Sequence, residues 1–170
     1  RQMCIRDRFP NVFTKQRMIE DYNLTNLFTG LSYTAEYPRN LVFHEHEKTI
    51  AIKKRYGSEK LEMIAYMPTW RGLTSTALEI AGYAEELKKI LQVLDETLND
   101  DQMLYVNLHS LVKDVIPIQG YQHICSFPEG VDNYEFLMGC DMLITDYSSV
   151  LFDFALTKRP VILFLSLIHI

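Results

Sequence analysis

The chain has 170 residues, enough for one domain with a buried core or for part of a larger protein. Apolar residues make up 48% and charged residues 23%, an ordinary globular balance. With 17 Lys plus Arg against 22 Asp plus Glu the net charge is −5, and no basic stripe with interleaved aromatics appears, which argues against nucleic acid as a partner. Cys4, Cys125 and Cys140 lack metal-ligand spacing and fit a reducing cytoplasm better than a disulfide framework. No apolar run reaches the roughly 20 residues of a membrane-spanning helix.

The ends stand apart from the rest. Residues 1–8 (RQMCIRDR) have no periodicity, and residues 166–170 (SLIHI) follow a strand pattern without a turn signal. Both resemble translated adaptor sequence and are read as non-native tails, leaving residues 9–165 as the fold and as a fragment of a longer protein.

Thr14 to Phe28 reads as a helix, with Met18, Ile19, Tyr22 and Phe28 apolar among Lys15, Arg17, Glu20 and Asp21. Leu31 to Ala35 is a short strand, and Glu36 to Asn40 a turn around Pro38. His46 to Tyr56 is a helix closed by Gly57. Leu61 to Met67 is a strand stopped by Pro68, followed by a loop through Gly72. Thr76 to Leu98 is the longest helix, its stripe of Ile80, Leu87, Ile90, Leu91, Leu94 and Leu98 opposing Glu85, Lys88, Lys89 and Glu96. Strands follow at Met103 to Leu108 and His123 to Phe127, with short helices at Ser110 to Val115 and Asn133 to Gly139, the latter capped by Asp132 or Asn133. From Asp141 onward the pattern is strand, polar turn, helix, strand: apolar residues around Leu143 and Ile144, then Asp146-Tyr147-Ser148-Ser149, then Val150 to Ala155, then Val161 to Leu165. Strands alternating with helices predict an α/β fold with a parallel sheet covered on both faces.

Three polar clusters fall just after predicted strands: Thr69-Trp70-Arg71, His109-Ser110 and Asp146 to Ser149. A parallel sheet gathers all three at the edge where ligands bind in open α/β proteins. Ser148 and Ser149 suit a phosphate at a helix start, or simply cap the helix. Asp153, one turn on, either reaches a ribose or is an exposed helix carboxylate, which the pattern favours. Arg71 can clamp an oxyanion through its fork of donors. Trp70 packs on a base or shields the sheet edge. His109 donates to a leaving phosphate or is structural. Arg39 is a loop charge or a ligand contact. His44-Glu45-His46-Glu47 places two histidines in different directions on a helix with no third ligand, so neither a metal nor another cofactor is expected.

Taken together, Tyr37-Pro38-Arg39-Asn40, Tyr66-Met67-Pro68-Thr69-Trp70-Arg71, the strand-end His109, and Leu143 to Val150 running into Phe152-Asp153 and Arg159-Pro160-Val161-Ile162 resemble the CDP-glycerol glycerophosphotransferase family of bacterial teichoic acid synthesis. The resemblance implies a GT-B architecture of two Rossmann-like domains, of which this chain is most of the C-terminal, nucleotide-binding one. It implies transfer of glycerol phosphate from CDP-glycerol to a hydroxyl of a lipid-linked teichoic acid acceptor, with release of CMP, by a metal-independent enzyme. Ser148 and Ser149 would hold the donor phosphates, and Thr69, Trp70, Asp146 and Arg39 would also belong to the donor-binding site. His109 and Arg71 would stabilise charge on the leaving side, and Asp153 would approach the ribose. The fragment would hold the donor half-site and be inactive alone. The enzyme would be cytoplasmic and peripheral at the inner face of the membrane, through a part not contained here. His109 is followed by Ser110 where the family pattern leads one to expect proline. Rival readings are a GT-B transferase or epimerase using a UDP-sugar, a CDP-ribitol-using relative, and a non-catalytic partner-binding α/β domain. Oligomeric state is not encoded in any of these patterns.

Overall fold

The computed structural model describes residues 6–27, 30–57, 60–70 and 76–165. The chain divides into two units, Arg1–His44 and Glu45–Ile170.

In the first unit, β1 (Arg6–Phe9) pairs in parallel with β2 (Leu31–Thr34), in register from Arg6 opposite Leu31 to Phe9 opposite Thr34. Residues 6–8, set aside with the tail on sequence, thus form most of a strand. Between the strands lies α1 (Val12–Asp21). It starts earlier than its apolar spacing suggests because the Asn11 side chain accepts from the Thr14 N–H at 2.8 Å. It ends earlier because Asn23 turns left-handed, with φ 53°. The turn expected over residues 36–40 is instead the start of a 3₁₀ helix, Pro38–His44. Pro38 supplies a φ already suited to the first helical position and gives up a donor that position does not use.

The second unit contains α2 (His46–Tyr56), β3 (Glu62–Met67), α3 (Ala77–Thr97), β4 (Gln102–Val106), α4 (Ser110–Lys113) and β5 (Ile124–Ser126). They are followed by α5 (Asn133–Gly139), β6 (Met142–Thr145), α6 (Val150–Phe154) and β7 (Val161–Leu163). The five strands are all parallel, in the order β5-β4-β3-β6-β7. The order reverses at β3: the chain steps outward to β4 and β5, then returns to lay β6 on the other side. The pair β3 and β6 is the switch point of the sheet, beyond whose carboxyl ends open α/β proteins bind their ligands.

Alternation along the strands assigns the two faces. On one, α3 buries Leu87 and Leu91 against Ile64, Tyr66, Leu104, Val106 and Ile124. Each such side chain contributes roughly 1.5–3 kcal/mol on leaving water. The N-terminus of α3 is fixed by a capping box: the Thr76 hydroxyl accepts from the Glu79 N–H, and the Glu79 carboxylate accepts from the Thr76 N–H. On the other face Phe136 of α5 packs its ring against Tyr105, Phe127 and Tyr56 at 4.9, 4.6 and 5.6 Å between centroids.

Helices α2 and α5 approach closely where Gly139 faces Ile52; a Cβ there would lie 2.4 Å from Ile52 Cγ2. Lys53 of α2 pairs with Asp141, whose other oxygen accepts from the Met63 N–H at 3.0 Å. Arg159 donates to the carbonyls of Met138 and Cys140 at the end of α5. Arg159, which follows α6 in sequence, therefore serves the C-terminus of a different helix. Among the described residues no helix is long and apolar enough to cross a membrane, and no three His, Cys, Asp or Glu side chains cluster as metal ligands.

Candidate functional site

The site forms where β3 and β6 end side by side. Tyr66 lies opposite Ile144 and Met67 opposite Thr145, so the segments that follow leave the sheet together. Thr145 ties the two strands once more, its hydroxyl donating to the Met67 carbonyl at 2.7 Å. One residue later Asp146 is 2% exposed, and its carboxylate accepts the Thr69 N–H at 3.0 and 3.2 Å and the Thr69 hydroxyl at 2.8 Å. Pro68 removes one backbone donor from this turn, and Asp146 takes the next. Asp146 therefore ties together the two segments that follow β3 and β6.

Trp70 follows Thr69 and is half-buried. Its ring meets Tyr83 of α3 edge-on at 5.2 Å and lies 6.5 Å from the His109 ring at a tilt of 31°. The carboxyl edge of β4 thus joins that of β3. His109 is exposed and caps α4, its Nδ1 accepting from the Leu111 N–H at 3.3 Å. An Nδ1 used as acceptor leaves the proton of the neutral ring on Nε2. Ser110, where the family pattern leads one to expect proline, is the first residue of α4, a position that suits proline as well.

Ser148 is half-buried and its Oγ accepts from the Val150 N–H at 3.4 Å, a long bond. Ser149 is exposed, and at the first cap position of α6 its side chain makes no capping bond. Simple capping therefore does not account for Ser149. Helix α6 has only five residues, continued by a 3₁₀ turn, Ala155–Thr157. Its macrodipole is correspondingly small, so a phosphate here would depend on hydroxyls and individual N–H groups.

Asp153 departs from the exposed helix carboxylate that the pattern favoured. It is 3% exposed and accepts the Tyr134 hydroxyl at 3.0 Å, tying α6 to α5. Arg71 lies outside the described residues. Arg39 belongs to the first unit, where it is exposed with its guanidinium 4.7 Å from the Tyr37 ring centre. Sequence reading missed Tyr83 and Tyr134, whose hydroxyls engage Thr69 and Asp153; each sits in a helix at a position that reads as packing.

A hollow of about 130 Å³ opens beyond the ends of β4 and β5. Val106, Leu108, Ile116 and Phe127 give it apolar walls, with Asn107 and Lys113 among its polar lining. Apolar walls with a few polar groups are the usual make-up of a small-molecule site.

Comparison with known proteins bears on this arrangement. Residues 17–166 match the model of the family described as CDP-Glycerol:Poly(glycerophosphate) glycerophosphotransferase. A teichoic acid poly(glycerol phosphate) polymerase of Bacillus spizizenii is 36% identical over 138 residues, covering 75% of this chain and 33% of the relative. One from Bacillus subtilis is 38% identical over 135 residues, covering 75% and 18%. The chain thus spans about a third or less of the length of these curated relatives. Among solved structures, a variant of the wall teichoic acid polymerase TagF soaked with CDPG matches with a TM-score of 0.69 at 27% identity, covering 92% of this chain and 37% of the other. The parallel sheet with helices on both faces is therefore the GT-B-like arrangement expected from sequence.

Proposed function

The chain belongs to the CDP-glycerol:poly(glycerophosphate) glycerophosphotransferase family, and we propose that it is the donor-binding part of an enzyme that transfers glycerol phosphate from CDP-glycerol to a hydroxyl of a lipid-linked teichoic acid acceptor. The observation that carries this reading is the meeting of Thr69, Trp70, His109 and the Asp146–Ser149 turn around the switch point of the sheet.

In the reaction the acceptor oxygen bonds to the phosphorus that bears glycerol. The bond from that phosphorus to the bridging oxygen breaks, and CMP leaves with the electron pair. Phosphoryl transfer of this kind needs positioning and charge stabilisation rather than covalent chemistry. Ser148 and Ser149 contact the donor phosphates, and His109, with its proton on Nε2, donates to the oxygen on which charge grows. Arg71 adds a fixed positive charge on the leaving side. The acceptor hydroxyl and its general base come from the part of the longer relatives that this chain does not span. Because the acceptor is lipid-linked, the enzyme works peripherally at the cytoplasmic face of the membrane.

Calorimetry on the purified chain with CDP-glycerol, CDP-ribitol and a UDP-sugar tests the reading. Binding of CDP-glycerol in preference to the UDP-sugar is expected. Preference for the UDP-sugar, or no binding of either CDP compound, overturns it. CMP release from CDP-glycerol by this chain alone is expected to be absent.

A further inference from the structure

Thr69 and Trp70 lie beyond the end of β3 and well before α3, where no ladder or helix fixes the backbone. They are nonetheless held from two sides. Asp146 grips Thr69 from the β6 side through its N–H and hydroxyl. From the α3 side, the Tyr83 hydroxyl donates to the Thr69 carbonyl at 2.9 Å. The Tyr83 ring also meets Trp70 at 74° between planes, a favourable edge-to-face contact. The indole neighbours both this ring, at 5.2 Å, and that of His109, at 6.5 Å between centroids. Tyr83 packs at the margin of the core, a place Phe would fill equally well. Its hydroxyl is what Phe lacks, and that hydroxyl serves the loop.

We propose that Tyr83 is a positioning residue for the donor site: by holding the Thr69 carbonyl and the Trp70 ring, it sets the indole against His109 and acts on the donor without touching it. The inference rests on the donor-binding reading above. It extends the site to the second turn of α3, a helix that sequence periodicity assigns wholly to packing.

Trp70 is the single tryptophan of the chain, so its fluorescence reports on this loop and nothing else. Tyr83→Phe and Tyr83→Leu are compared with the parent by acrylamide quenching of Trp70, by thermal unfolding, and by calorimetry with CDP-glycerol. Tyr83→Phe is expected to unfold cooperatively near the parent midpoint, to quench more readily, and to bind CDP-glycerol about fivefold more weakly, the effect of one neutral hydrogen bond. Tyr83→Leu, lacking the ring as well, shifts both readouts further. Unchanged quenching in Tyr83→Phe overturns the proposal, as does altered quenching with unchanged affinity. Loss of cooperative unfolding in Tyr83→Phe makes Tyr83 a core residue and also overturns it. If the parent itself fails to bind CDP-glycerol, the donor reading falls, and quenching still decides whether Tyr83 fixes Trp70.

Discussion

Asp146→Asn isolates the bond network that joins the two halves of the sheet edge. In the parent, a buried carboxylate accepts from one N–H and one hydroxyl of Thr69. Hydrogen bonds to a charged partner are worth about 1.5–3 kcal/mol each, and neutral ones about 1. Both Thr69 donors reach the same carboxylate oxygen, so an Asn oxygen in its place keeps both bonds, each weakened from charged to neutral. The NH₂ replaces the second oxygen, 3.2 Å from the Thr69 nitrogen, and there a donor faces a donor. The expected cost is about 2–3 kcal/mol. At about 3–5 °C per kcal/mol for a unit of this size, the unfolding midpoint falls by about 10 °C. Circular dichroism follows the sheet and helices, while Trp70 emission follows the loop. Thr69→Val closes a double-mutant cycle, since it removes the hydroxyl and keeps the N–H. Coupling of about 1 kcal/mol or more is expected between the two sites. A midpoint for Asp146→Asn within 2 °C of the parent, or additive effects in the cycle, refutes the assignment of Asp146 as a structural clamp.

Gly139→Ala should cost about 1–3 kcal/mol by overpacking, because the new methyl lands on Ile52. Adding Ile52→Ala should recover part of that loss in urea unfolding, and simple additivity would count against the contact. Ser148→Ala with Ser149→Ala should weaken CDP-glycerol binding in calorimetry while leaving the unfolding midpoint nearly unchanged; full affinity in the double variant removes these hydroxyls from the site. Burial pushes the Cys125 thiol up to about 11 and the Tyr105 phenol up to about 12. Both hold their protons more tightly folded than unfolded. Their contribution is complete below the ordinary pKa values of 9.0 and 10.0 and is lost as pH rises through about 11 and 12. Urea midpoints should therefore decline from about pH 9 upward, and a flat profile to pH 11 contradicts the burial of these groups.

Most of the second unit is legible in its residues. The long α3 has an apolar stripe that only one helix face can satisfy, and the strands β3, β4 and β6 are apolar runs bounded by Pro, Gly or polar turns. The 3₁₀ helix after Pro38 was not legible, because Pro at a first helical position and Pro in a turn look the same locally. Side-chain roles proved harder than elements. Asp146 and Asp153 are both carboxylates near a polar turn, and both are buried against hydroxyls supplied from distant segments, Thr69 and Tyr134. Nothing within a few residues of either signals its partner. The convergence of the Thr69, His109 and Asp146 clusters was legible for a different reason. It needs only parallel strands, and parallel strands follow from the alternation of elements.

The switch point also has a kinetic meaning. β3 and β6 are nearest neighbours in space, yet Thr69 and Asp146 are 77 residues apart in the chain. Closing that loop costs more chain entropy than the local contacts of the elements between, which favours their forming first. The entropy of closure is recovered only when β6 docks. The crevice is therefore a late product of folding, absent from any partly folded species that lacks β6. Interactions made there, the Asp146 clamp among them, should govern how fast the native chain opens far more than how fast it forms.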